Sequence, residues 1–415
     1  MGGQTPFLCN AAAGKVIMTT TIGLQLLFWT CLTVLAYIYV GYPVLAWSRS
    51  LGWRTPDWGL SPQSTSCELE GQSRKTTSTV SIVIVAHNEA RILPNKIRSL
   101  LNSVGGERIH EILIGSDGST DDTRQVLAEL SEPLVTLFEF SARRGKPSVL
   151  NELIPQCRSE IILLADARQM FDPNCLQRLL AHFYDETVGV VSGELVLRSD
   201  PAQTAAASGI GFYWRYEKFI RRCESRGRGV PGATGACYAI RKSLFQPIPP
   251  TTILDDVAIP MQAAARGYRC LFEPDAVVFD EPSKSTRQEA IRKRRTIAGV
   301  AQLVRLFPQW LSPSRNPLWF EFVSHKLLRL GSPLFMALTL AANLCLLETP
   351  AYRVLLIVQS AFYASAVVGW CYQLTGRGSQ LFGPPLMFVT LNLATAAALW
   401  DALFARYRVT WQKTA

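Results

Sequence analysis

Ten cysteines are scattered through the 415-residue sequence with no Cys-x-x-Cys pair and no regular spacing, so neither a zinc site nor a disulfide framework is indicated. Reduced thiols of a cytosolic environment fit this usage. Charge is sparse: 18% of residues are charged against 48% hydrophobic, too apolar a balance for an ordinary soluble enzyme. Acids are the scarcer sign, 32 against 42 lysines and arginines, and the resulting +10 falls mostly between two apolar ends. Such a charge suits an anionic membrane surface or a phosphate-bearing substrate. No recognised nucleic-acid-binding module accompanies it, so no nucleic-acid partner is expected.

The apolar ends read as membrane segments. After a tail over 1–15, residues 16–47 are almost uncharged and longer than the apolar core of a secretory signal, which predicts a transmembrane anchor. Tyr37, Tyr39, Tyr42 and Trp47, followed by Arg49 and Arg54, resemble an interfacial belt with cytosolic positive charge behind it. Residues 48–79 form a Ser/Thr/Gly/Pro-rich linker without apolar period. At the other end, 303–332 is mixed aromatic and basic, as in a helix lying on a membrane face. Three apolar stretches follow within 333–405, roughly Pro333 to Leu347, Val354 to Cys371 and Pro385 to Phe404, the first being the shortest. Three spans would leave the tail over 406–415, with Arg406, Arg408 and Lys413, outside the cytosol against the positive-inside tendency, so two or three spans are expected.

Residues 80–302 alternate strands with helices, a pattern that predicts an α/β domain with a doubly wound, mostly parallel sheet. Its organising stretch is Ile161-Ile-Leu-Leu-Ala-Asp166-Ala-Arg168, a buried strand with an acid where it leaves the sheet. Ligands of open α/β sheets bind at that carboxyl edge, although a turn or a helix cap accounts for a lone acid equally well. Asp117 occupies the same position on the strand Glu111–Gly115, with Gly118 allowing a tight turn and Ser119 to Asp122 able to cap the next helix. Arg143, Arg144, Gly145 and Lys146 follow a third strand and are suited to approach a diphosphate. Val188 to Leu197 reads as a strand pair, and Gly209 to Arg222 as an amphipathic aromatic and basic stretch, suited to a surface helix, a membrane interface or sugar stacking. Asp255 and Asp256 precede an apolar helix, where paired acids can be a simple N-terminal cap. Further on, Arg287 to Arg295 packs five cations into nine residues.

A strand followed by His87-Asn88-Glu89, then Ser116-Asp117-Gly118-Ser119-Thr120-Asp121, then Gly145-Lys146 with Leu150-Asn151, then Asp166-x-Arg168, resembles the nucleotide-sugar half of an inverting family-two glycosyltransferase of the GT-A fold. Four ordered elements over about ninety residues make the resemblance specific. It implies a nucleoside diphosphate sugar donor, expected to be uridine-linked, in a pocket of Glu89, Asp117, Lys146, Asp166 and Arg168. It also implies a divalent cation, Mg2+ or Mn2+, on Asp166. Asp256 matches the family's catalytic base, with Asp255 beside it as the first substitute, and Arg295 is expected to help the departing diphosphate. Two departures stand out: the second carboxylate usual two residues after Asp166 is Arg168, and the Gln-x-x-Arg-Trp motif of cellulose and hyaluronan synthases is reduced to Arg295 followed by Thr296. The expectation is an integral protein of the inner or plasma membrane, catalytic on the cytosolic side and adding sugars to a growing polysaccharide. Single transfer to a polyprenyl phosphate or glycolipid is the alternative acceptor chemistry, and a non-catalytic subunit of an export complex the alternative class.

Overall fold

The computed structural model describes residues 6–52, 79–197, 205–281, 286–375, 379 and 381–403. The chain divides into two compact units, one made of 1–45, 201–216 and 327–397, the other of 46–200, 217–326 and 398–415. The expected linker lies almost wholly outside the described residues, as does the C-terminal tail.

The second unit is built on an eight-stranded sheet in the order β3-β2-β1-β4-β7-β6-β8-β5. Its first half is parallel. Strands β1 (Val80–Ala86), β2 (Ile109–Asp117), β3 (Val135–Phe140) and β4 (Ile161–Asp166) are joined by helices that cover both faces. Both faces of β1 are therefore dry, which is why Ile82, Val83, Ile84, Val85 and Ala86 form an unbroken apolar run. Register brings Ala86 opposite Ser116 and Val85 opposite Asp166, so the loops that leave β1, β2 and β4 open at one edge.

Beyond β4 the sheet is mixed. Strand β7 (Cys237–Arg241) runs antiparallel to both β4 and β6 (Val188–Leu197), β8 (Arg269–Asp280) is parallel to β6, and the two-residue β5 (Met170–Phe171) closes the edge against β8. Val188 to Leu197 is thus one strand rather than a pair. Its apparent break reflects the register shift between Ser192 and Glu194, beside Gly193, where an added Cβ would meet the Ala276 carbonyl oxygen at 2.6 Å. A fully buried lysine braces the edge: Lys96 donates to the carbonyl of Gln169 at 2.5 Å and lies 4.1 Å over the Phe171 ring. Burial pulls its proton affinity down to about 8, with the negative charge of Asp166 acting in the opposite sense.

In the first unit, a helix starts at Pro6, inside the stretch expected to be an unstructured tail, and continues to Ala36. Four helical segments are long and apolar enough to cross a membrane: Met18–Gly52, Trp319–Cys345, Pro350–Leu374 and Gly383–Ala402. The expected interfacial helix is not a separate element. Trp310 is buried and stacked on Phe307 at 4.3 Å, and from Trp319 the chain is helical through a π-turn, Phe322–Leu327, into Leu328–Cys345. What looked the shortest apolar stretch is therefore part of a 27-residue helical segment. Aromatic edge contacts join the N-terminal helix to the C-terminal ones, Phe28 to Tyr352 at 5.2 Å and Tyr39 to Phe388 at 4.8 Å.

Candidate active site

Two loops at the strand edge are tied together first. Asn88, in the left-handed region at φ 57°, accepts from the Thr120 backbone N–H at 2.7 Å, and its own N–H donates to Ser119 Oγ at 3.1 Å. Asp121 caps the helix Thr123–Leu130 through the Thr123 N–H at 3.2 Å and also accepts from the Ala90 N–H at 3.1 Å. Glu89 is buried between these loops, and its carbonyl receives the N–H groups of Ile92 and Leu93.

Asp117 is 2% exposed, and it does not cap the helix after it. Its Oδ1 accepts the Arg144 N–H at 2.6 Å and its Oδ2 the Gly145 N–H at 2.9 Å, while its carbonyl lies 2.8 Å from His87 Nδ1. The acid at the end of β2 thereby fixes the basic loop after β3. Gly118 (φ 65°) permits that approach, because an added Cβ would meet the Arg143 nitrogen at 2.7 Å. The loop delivers Lys146 to the first turn of the helix Lys146–Gln156, a terminus that favours anionic ligands.

The chemistry-bearing groups converge around this lysine. Lys146 Nζ lies 2.8 Å from Asp166 Oδ1, at the end of β4, and 3.1 Å from Asp255 Oδ2, in the first turn of the helix Asp255–Ala265. Burial opposes the ammonium, but Asp166 and Asp255, with Asp256 nearby, raise its proton affinity above the ordinary lysine range. Asp256 moves in the other sense: burial, reinforced by the like charge of Asp255, pushes its carboxyl up to about 6, against the pull of Lys146 and Lys326. Burial lowers the Arg295 guanidinium from its usual range, and the charges that oppose this are Asp255, Asp256 and Asp166. Arg295 stays protonated at any working pH and belongs to the same cluster.

The structure thus brings together Lys146, Asp166, Asp255, Asp256 and Arg295, with Asp117 supporting the loop and Glu89 in the neighbouring exit. Arg168 is not brought in: its guanidinium is turned toward Asp280 at 3.5 Å, and Gln169 donates to the same carboxylate at 2.8 Å. Nor does Asp172 join, because its carboxylate accepts the Asn174 N–H at 3.0 Å. Among the described residues, no three His, Cys, Asp or Glu side chains gather as a metal cage. Asp166 and Asp255 nevertheless face one cation position, the one at which the Lys146 ammonium stands.

One contributor was not legible beforehand. Arg221, on the helix Ala205–Arg226, donates to Ser192 Oγ at 2.9 Å and to Thr234 Oγ1 at 3.0 Å, and the Thr234 N–H closes the triangle onto Ser192 Oγ at 2.8 Å. This holds the small-residue loop before β7 against Asp256, whose carbonyl accepts the Ala233 N–H at 2.7 Å. An added Cβ on Gly235 would stand 2.9 Å from Asp256 Oδ2. The sequence shows Arg221 only as one of several cations on a helix.

A parallel half-sheet continued by a mixed half, with acids at its carboxyl edge, defines a GT-A nucleotide-sugar domain. The comparisons agree: residues 81–248 match the family model "Glycosyl transferase family 2". The chain is 24% identical over 217 residues to the poly-beta-1,6-N-acetyl-D-glucosamine synthase of Staphylococcus aureus (strain COL), covering 51% of this chain and 50% of that one. It is 24% identical over 205 residues to the synthase of the same name from Staphylococcus epidermidis, covering 48% and 49%. The chain thus spans about half the length of the curated relatives it matches. Its fold is shared with the mannosyltransferase PcManGT from Pyrobaculum calidifontis, solved in complex with GDP-Man and Mn2+, at TM-score 0.66 and 20% identity over 92% of this chain and 100% of that one. Residues 81–248 are thus a family-two glycosyltransferase domain.

Proposed function

We propose that this glycosyltransferase works at a membrane, on the cytosolic side, and transfers a sugar with inversion from a uridine diphosphate donor to a growing polysaccharide. The observation that carries the reading is the convergence of Lys146 with Asp166 and Asp255 at 2.8 and 3.1 Å, next to Asp256, a half-buried carboxyl raised to about 6. A group of that proton affinity is ionised at neutral pH yet basic enough to accept a proton, as a general base requires. The relatives that make poly-beta-1,6-N-acetyl-D-glucosamine support a polysaccharide product, and four helices of spanning length support the membrane setting.

In this reading the loop fixed by Asp117 and the start of the helix Lys146–Gln156 receive the diphosphate, with Lys146 and Arg295 as its cationic partners. A divalent cation, Mg2+ or Mn2+, fits the hard oxygens of Asp166 and Asp255 and, when bound, would neutralise the departing diphosphate. Asp256 takes the proton of the acceptor hydroxyl as that oxygen attacks the anomeric carbon, and the donor's glycosidic bond to phosphate breaks on the opposite face. Arg221 keeps the Thr234 loop against the base. A scaffold without activity is disfavoured, because Lys146, Asp166, Asp255, Asp256 and Arg295 converge although they are distant in sequence.

The test is to incubate membranes containing the protein with a panel of nucleotide sugars and to measure released nucleotide and labelled product. Release that disappears in Asp256→Asn, with label in a solvent-insoluble polymer, is expected. Label confined to the organic phase would replace the polysaccharide by a lipid-linked acceptor, and no release with any donor would sink the enzymatic reading.

A further inference from the structure

The position between Asp166 and Asp255 already holds a cation that is part of the chain. Lys146 Nζ lies 2.8 Å from one carboxylate and 3.1 Å from the other, with the lysine side chain only 13% exposed and that of Asp255 11%. An ammonium at that distance and a divalent ion on the same oxygens exclude each other, because hard divalent ions take carboxylate oxygens at about 2.0–2.6 Å and like charges so close repel strongly. No alternative seat is offered by the position two residues after Asp166, since Arg168 is a cation turned toward Asp280.

We propose that Lys146 is a stand-in for the divalent ion in the donor-free protein, and that Asp255 is the second carboxylate of the site, in the role for which the sequence shows Arg168 instead of an acid. The lysine begins the helix that faces the donor's diphosphate, so an arriving diphosphate offers it a new anionic partner within reach of its own backbone position. Transfer of the ammonium from the carboxylates to the diphosphate frees the two acids together, and the ion enters with the nucleotide. Metal loading then depends on nucleotide because the protein's own cation must first move. The inference rests on the site being a nucleotide-sugar site, as proposed above.

The experiment is calorimetric titration of Mn2+ into the full-length protein in detergent, with and without uridine diphosphate. Parent, Lys146→Met, Lys146→Gln, Arg168→Met and the double variant Lys146→Met/Asp255→Asn are compared. The parent is expected to bind Mn2+ weakly alone and roughly tenfold or more tightly with nucleotide. Lys146→Met should bind Mn2+ without nucleotide about tenfold more tightly than the parent, Lys146→Gln should move the same way, and Asp255→Asn should cancel the gain. Arg168→Met should give none, since that cation does not occupy the position. An equal gain in Arg168→Met would reduce the effect to overall charge, and no gain in either Lys146 variant would overturn the proposal outright. If the Lys146 variants fold only when Mn2+ is present, seen as a thermal midpoint that rises with the ion alone, the ion has replaced the ammonium as proposed. Failure to fold even with Mn2+ refutes it. A parent that binds no nucleotide under any condition would sink the donor reading instead, while the Mn2+ titrations of the variants still decide the role of Lys146.

Discussion

Asp256 gives the sharpest quantitative expectation. With its carboxyl raised to about 6, the ionised fraction is about 0.9 at pH 7 and about 0.1 at pH 5, so kcat/KM should fall roughly tenfold per pH unit below 6. An ordinary aspartate near 3.9 would keep that limb about two units lower. Because kcat/KM reports the free enzyme, the limb measures the site before the donor and its ion arrive. Burial and Asp255 are the causes of the shift, and Lys326 opposes it. Asp255→Asn should therefore move the limb to lower pH, and Lys326→Met to higher pH. Asp256→Asn preserves the shape and removes the base, which should cost about two to four orders of magnitude in turnover, or about 3–5 kcal/mol of transition-state stabilisation, with donor binding nearly intact. The assay is nucleotide release across pH 4.5–8.5 at subsaturating acceptor. An acid limb near pH 4, together with turnover of Asp256→Asn within tenfold of the parent, would remove Asp256 from the role of base, leaving Asp255 as first candidate.

The same carboxyl affects stability with a definite sign. Its folded value lies above its unfolded one, so its protonation favours the fold below about pH 4, and that contribution is lost as pH rises through about 6; Asp256→Asn should melt higher than the parent above pH 6, and a gain that grows toward pH 4 would contradict this. Asp117→Ala releases the Arg144 and Gly145 N–H groups and should raise the donor's Michaelis constant about tenfold or more with the fold retained, since two charge-assisted hydrogen bonds are lost; an unchanged constant would separate that loop from the donor. Gly235→Ala forces a Cβ to within 2.9 Å of Asp256 Oδ2 and should lower kcat with little change in the donor constant, whereas parental turnover would mean that the base sits elsewhere when working. Chelator should abolish transfer and added Mn2+ or Mg2+ restore it; full activity in chelator would show that Lys146 and Arg295 suffice for the diphosphate.

What the sequence determined by itself was whatever depends on local pattern. Continuous apolar runs marked β1, β2 and β4, because a parallel strand covered on both faces has no polar side to show. The acids that end β2 and β4, Asp117 and Asp166, were readable as candidate site residues because strands of one parallel sheet end at a common edge. Helices of spanning length were equally plain from composition, although the π-turn Phe322–Leu327 that joins Trp319–Glu321 to Leu328–Cys345 was hidden by its polar residues. Tertiary structure alone decided who meets whom. Lys146 reaches Asp255 across 109 positions, Asp117 gives its carboxylate to the loop of Arg144, and Arg168 turns to Asp280 rather than to the Lys146 cluster. The contacts of Arg221 with the Ser192 and Thr234 hydroxyls were not legible for the same reason. The physical cause is that hydrophobic periodicity is set by neighbours a few residues away, whereas a charged side chain's partner is set by burial. Once the sheet closes over it, a charged group must find whatever opposite charge the fold has brought within about 3 Å, wherever in the chain that charge resides.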